Sequence, residues 1–157
     1  MKSHQLPVIG WREWVTLPDF GIDAIKAKVD TGARSSAIHA YDIEIHRRGG
    51  VDIVRFKVHP LQRNTTRTVE AQARLLDRRP VRSSSGHAAL RLVVATTVRV
   101  FDQSWPIELT LSNRDEMGFR MLLGRQAIRR RFTVDPGRSY LSGKPPRRKM
   151  RRKGSKP

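Results

Sequence analysis

The sequence predicts an all-β domain, a barrel or sandwich, with one short helix near its C-terminus. Three observations predict it: apolar and polar residues alternate in several segments, no strand–helix–strand rhythm is present, and the single helix-forming run comes late. At 157 residues the chain is long enough for one domain with its own core.

The elements follow in order. Ala24-Ile25-Lys26-Ala27-Lys28-Val29 alternates cleanly, as a strand with one buried face does. Val51 to Val58 alternates too, but its apolar set switches face between Ile53 and Val54, which predicts a bulge. Leu90 to Val100 is rich in β-branched residues, and Ile107-Glu108-Leu109-Thr110-Leu111 alternates again. Between these two, Phe101 to Pro106 reads as a hairpin turn with Pro106 at its edge. Gln62–Thr66 and Arg82–His87 carry loop chemistry. After Gly124, the run Arg125 to Phe132 places Ile128 and Phe132 four apart, on one face of a short helix. Asp135-Pro136-Gly137 then breaks the chain, and Ser139-Tyr140-Leu141 reads as a final strand. No internal repeat is visible.

Charge is the strongest compositional signal: +18 at pH 7. From Lys144 onward there are eight Lys/Arg and no acid, so residues 144–157 form a basic tail with little apolar content, expected to be disordered. Such a tail serves either as an electrostatic arm for RNA, ribosomes or an acidic polypeptide, or as a solubilising extension. Residues 1–7 read as an N-terminal extension and 8–143 as the folded domain. There is no cysteine, which excludes disulfides, thiolate metal sites and a cysteine nucleophile. No stretch has the length of a signal peptide or membrane span, so a cytoplasmic protein with no membrane partner is the expectation.

The chemistry centres on Asp30-Thr31-Gly32-Ala33, which closes the strand ending in Val29. Aspartic peptidases need a carboxylate on a rigid turn. Glycine lets the backbone bend there, and a buried threonine hydroxyl braces the turn. Alone, the tripeptide also reads as an ordinary strand-ending turn. A second segment changes the weighing: Met121-Leu122-Leu123-Gly124-Arg125 sets bulky apolar residues before a glycine and then opens the helix. Retroviral-type peptidases have this pairing in this order. The stretch from about Arg82 to Arg131 resembles the second half of such a subunit, with a glycine-containing flap at Gly86-His87.

Gly10-Trp11-Arg12-Glu13-Trp14, the run from Lys26 to Ala37, Phe56 to Gln62, and Asn113 through Arg125 together resemble one bacterial and archaeal family. These are retropepsin-like aspartic peptidases, usually labelled ATP-dependent zinc proteases and associated with the ribosomal-protein glutamate ligase. The likeness spans about Val8 to Leu141 and omits the basic tail. It implies a retropepsin-like closed barrel. It also implies that Asp30, Thr31 and Gly32 form the catalytic turn and that Ala33, Arg34, Gly86, His87 and Arg125 line the substrate cleft.

The zinc and ATP of the label have no motif in these residues. There is no His-Glu-x-x-His, the five histidines lack ligand spacing, and no glycine-rich phosphate loop is present. No cofactor and no metal are expected.

Two carboxylates must share the work of activating water, and this chain has a single Asp-Thr-Gly. Asp135-Pro136-Gly137 lacks the hydroxyl. A second subunit must therefore supply a second Asp30, which predicts a homodimer. Retroviral enzymes carry an acid after Asp-Thr-Gly-Ala, paired with the later arginine. Here that position is Arg34, facing Arg125. Two arginines select an acidic substrate, such as a glutamate-extended tail; alternatively they are solvated or paired with Asp115 or Glu116. His87 reads either as a substrate contact or as an exposed loop histidine. Trp11 and Trp14 read as core or dimer packing rather than a base-stacking platform. The reading from a different class is a catalytically silent, basic β-barrel that binds RNA or ribosomes. An aromatic content of 6% is thin for that role.

Overall fold

The computed structural model describes residues 5–61, 67–82, 88–113 and 118–143. The expected loop Gln62–Thr66, the flap residues Gly86 and His87, Asp115 and Glu116, and the basic tail lie outside the described residues.

The described chain is almost entirely strand: β1 (Val8–Gly10), β2 (Arg12–Leu17), β3 (Ile22–Asp30), β4 (Ser36–His39), β5 (Tyr41–Arg48), β6 (Val51–Val58), β7 (Val69–Arg82), β8 (Ala88–Val100), β9 (Gln103–Ser112), β10 (Met121–Gly124) and β11 (Thr133–Asp135). A 3-10 turn, Pro18–Phe20, joins β2 to β3, and the one α-helix, α1, is Arg125–Ile128.

Nine strands form one sheet in the order β2-β3-β10-β4-β9-β8-β7-β6-β5. It closes on itself because β8 uses one edge twice. The half from Ala88 to Val94 pairs with β7, while Arg99 pairs with Thr16 of β2. Six strands, β2, β3, β10, β4, β9 and β8, thus make a closed barrel, and β7, β6 and β5 extend from it. Closure removes free edges from the barrel itself.

Alternation decides which residues fill it. Ile25, Ala27 and Val29 of β3, Leu109 and Leu111 of β9, Met121 and Leu123 of β10, and Ile38 of β4 are buried in one cluster. Each large aliphatic side chain so buried contributes about 1.5–3 kcal/mol. Ile128 and Phe132 cap the same cluster, as their spacing predicts.

Four local expectations change. The bulge is not in β6, which pairs without a break from Ile53↔Arg74 to Val58↔Val69; the register shift is in β5, between Tyr41 and Glu44. Val51 and Ile53 sit on the less buried face, a cost that two single apolar residues tolerate. The hairpin turn is tighter than Phe101 to Pro106: β9 begins at Gln103, and Pro106 lies inside it, opposite Thr97. Proline is tolerated there because β9 pairs with β4 only from Leu109 onward, so the missing N–H faces no partner strand. The helix is a single turn, because Arg129 leaves the helical conformation (ψ 139°) and Arg130 after it is left-handed (φ 67°). The last strand is Thr133–Asp135 rather than Ser139–Leu141.

That last strand also exposes a repeat that the sequence conceals. β11 pairs in parallel with β1, Asp135 opposite Gly10, as β3 pairs with β10, Asp30 opposite Gly124. The N–H of Gly137 donates to Asp135 Oδ1 at 2.9 Å, and that of Gly32 to Asp30 Oδ1 at 3.0 Å. The residue after each glycine strand then donates its N–H to the carbonyl three places beyond the aspartate: Trp11 to Arg138 and Arg125 to Ala33. The fold therefore holds two copies of one Asp-x-Gly unit, one in the barrel and one in the separate two-stranded sheet of β1 and β11.

Candidate active site

Asp30 ends β3 where its parallel partner β10 ends in Gly124. Its Oδ1 accepts the N–H groups of Gly32 (3.0 Å) and Ala33 (3.2 Å). The carboxylate thus folds back over its own turn, with one oxygen engaged. Among the described residues Oδ2 accepts no hydrogen bond and remains available to solvent or substrate. Asp30 is half-buried, and Thr31 and Gly32 are exposed.

The segment after Gly124 clamps the loop that follows Asp30. Arg125 N–H donates to the Ala33 carbonyl at 2.7 Å, and Gln126 N–H to the Arg34 carbonyl at 3.0 Å. Gly124 N–H donates to the buried Ser36 Oγ at 3.0 Å. The Arg125 guanidinium donates from Nη1 to the Thr31 carbonyl at 3.0 Å. Four bonds from three consecutive residues thus hold the turn. Glycine is required at 124 because a Cβ there would collide with the backbone carbonyl of Ser35. This close approach is the physical content of the apolar-apolar-glycine motif.

The threonine differs from expectation. In this chain the Thr31 hydroxyl is exposed and makes no hydrogen bond among the described residues; its carbonyl, held by Arg125, does the bracing. Arg34 is also exposed, and among the described residues its side chain has no ion-pair partner. The structure therefore brings Asp30, Thr31, Gly32, Ala33, Arg34 and Arg125 together, while Gly86 and His87 lie outside the described residues. Ser36 was missed by sequence reasoning, because a serine five or six residues past the aspartate carries no signal until Gly124 is placed beside it.

Among the described residues no three His, Asp or Glu side chains gather closely enough to hold a metal ion. Nor is any helix among them long and apolar enough to cross a membrane.

A closed β-barrel, an Asp-Thr-Gly turn and an apolar-apolar-glycine strand clamped to it define a protein of the retropepsin-like fold class. More narrowly, the chain belongs to the RimB-like family, described as retropepsin-like aspartic endopeptidase RimB, whose model matches residues 8–145. Among curated proteins it is similar to a probable alpha-L-glutamate ligase of Desulfotalea psychrophila, with 47% identity over 82% of this chain and 28% of that protein. A protein of the same name from Shewanella pealeana is 43% identical over 87% of this chain and 30% of its own length. The chain thus spans less than a third of the curated relatives it matches. Among solved structures it is similar to a Legionella pneumophila protein of unknown function: TM-score 0.73, 27% identity, 87% of this chain and 98% of that one.

Proposed function

We propose that the chain is an aspartic endopeptidase, active as a homodimer in which each subunit contributes Asp30. The observation that carries this reading is the Asp30 carboxylate, fixed through Oδ1 by its own turn, a turn clamped in its place from Gly124 and Arg125, with Oδ2 accepting no hydrogen bond among the described residues. One such carboxylate cannot be both base and acid at once, so the second comes from a second chain.

The reaction is peptide hydrolysis. One Asp30 is ionised and takes a proton from water as the water oxygen attacks the scissile carbonyl carbon. The other is protonated and donates to the carbonyl oxygen. Collapse of the tetrahedral species breaks the C–N bond, and the departing nitrogen takes a proton from the dyad. The products are a carboxylic acid and an amine.

The substrate we infer is an acidic or glutamate-extended polypeptide tail. Arg34 supports this, as an exposed cation four residues from Asp30, without an ion-pair partner among the described residues, that can receive a substrate carboxylate. So do the curated relatives, in which a domain like this one occupies under a third of a protein named for glutamate ligation. We assign the ligase chemistry of those proteins to their unmatched remainder. Binding of RNA or ribosomes through the basic tail is the second reading, supported by the net charge of +18.

The test compares wild type with Asp30→Asn on glutamate-tailed and unmodified peptides, with and without a chelator. Cleavage by wild type, indifferent to chelator and abolished in the variant, is expected. Activity that survives the substitution rejects the aspartic mechanism.

A further inference from the structure

We propose that the outer face of β2 and β3 is an anchoring surface for an acidic polypeptide, separate from the catalytic turn and leading up to it. This inference rests on the peptidase reading only for its purpose, not for its geometry.

Along this face cations and aromatic rings alternate. The Arg12 guanidinium lies 4.5 Å from the centre of the Trp11 ring and 5.0 Å from that of Tyr140. The Lys26 ammonium lies 5.3 Å from Trp14 and 5.9 Å from Tyr140. Tyr140 and Trp14 stack at 5.9 Å and 29°. Register builds the rest: Trp14 stands opposite Lys26, and Arg12 opposite Lys28, which is exposed. The C-terminal segment is fastened here. Tyr140 N–H donates to the Arg12 carbonyl at 2.9 Å, and the buried Glu13 accepts from Leu141 and Ser142.

A cluster of cations held by rings normally has carboxylates nearby to neutralise it. Among the described residues none of Arg12, Lys26 and Lys28 is ion-paired; Arg12 makes one side-chain bond, from Nε to Ser139 Oγ at 3.1 Å. Pre-ordered cations without counter-charges suit an anionic ligand, because little side-chain freedom is left to lose on binding.

The choice between polyanions follows from the rings. Single-stranded nucleic acid is gripped by bases stacking on open aromatic faces. Here Arg12, Lys26 and the neighbouring ring already occupy the faces of Trp14 and Tyr140. Lys26 and Lys28 instead point from one face of a strand at a repeat of about 7 Å, which is also the repeat of alternate side chains in an extended peptide. Lys28 is two residues before Asp30, and the Trp11 carbonyl accepts the Val29 N–H at 2.8 Å, so the surface ends at the catalytic turn.

The test measures binding of a fluorescent oligoglutamate peptide to full-length Asp30→Asn protein. The same background then carries Lys26→Gln with Lys28→Gln, or Lys26→Arg alone. The basic tail is present throughout, so its attraction is common to all. Removal of both charges should weaken binding about fivefold or more, with Lys26→Arg close to the parent. Unchanged affinity in the double variant overturns the proposal. So does an RNA oligonucleotide that displaces the peptide at lower concentration than unlabelled peptide does, which assigns the face to nucleic acid. Binding is read without turnover. A wild type that fails to hydrolyse, beside a clear charge effect on binding, rejects the peptidase and leaves the anchoring surface standing.

Discussion

Asp30 and Gly124 face each other at the ends of two parallel strands that are distant in sequence. Everything specific about the candidate site depends on that pairing, because Gly124 admits the Ser35 carbonyl and starts the clamp on the turn. Gly124→Ala inserts a Cβ into that carbonyl. Backbone cannot retreat as a side-chain end can, so the variant should lose about 2 kcal/mol or more of stability. Urea denaturation reads this directly, and peptide cleavage should fall with it.

Arg125 and Arg34 should separate kinetically. Arg125 holds the Thr31 carbonyl, while Arg34 is exposed and has no ion-pair partner among the described residues. Arg125→Gln is expected to lower kcat with KM little changed, since the turn loses its brace. Arg34→Gln is expected to raise KM for glutamate-tailed peptides and spare kcat. Steady-state kinetics on acidic and neutral peptides checks both, and the opposite split would exchange their roles.

Glu13 is fully buried, and its two oxygens accept from the N–H groups of Gly10, Leu141 and Ser142 and from the Ser142 hydroxyl. Its removal leaves the three N–H groups without that partner, while the Ser142 hydroxyl keeps the Trp14 carbonyl. Glu13→Ala should cost about 3 kcal/mol by chemical denaturation, and limited proteolysis should then cut within 138–143 in the variant before wild type.

The base of the β7–β8 hairpin carries the pH-sensitive contact. Arg79 donates to Asp77 at 2.8 Å and to Glu108 at 2.9 Å. The hydrogen bond from the Arg79 side chain, then that from the Arg78 backbone, hold the Asp77 carboxyl below its ordinary range. A depressed folded value contributes stability above the unfolded value of about 3.9, lost as pH falls through the folded one. Wild type should exceed Asp77→Asn in stability at neutral pH, and the two should converge below about pH 4. Both groups are well exposed, so the gap is small, and parallel curves would contradict it.

Much of this was legible in the residues because period-2 alternation survives wherever one face of a strand is buried. β3, β8 and β9 stand out for that reason, and so does the order of the Asp30 and Gly124 segments. β1 and β11, three residues each, are too short to show a period. Their pairing creates the second Asp-x-Gly unit, so the repeat appears only in three dimensions. The role of Ser36 was hidden for the same reason: its partner, Gly124, is 88 residues away. Ser139-Tyr140-Leu141 reads as a strand, yet Tyr140 lies outside any strand. What fixes it is the Arg12 carbonyl, which accepts its N–H, and next to it Glu13, a buried acid on the same face of β2 as Val15 and Leu17, which holds Leu141 and Ser142.

The central claim, one Asp30 from each of two chains, is tested most directly by mixing wild-type and Asp30→Asn protein, allowing subunits to exchange, and measuring hydrolysis of a glutamate-tailed peptide. If both carboxylates are needed, only wild-type pairs work, and total activity falls as the square of the wild-type fraction. Activity that falls in simple proportion to that fraction would contradict the shared dyad and place the whole catalytic apparatus within one chain.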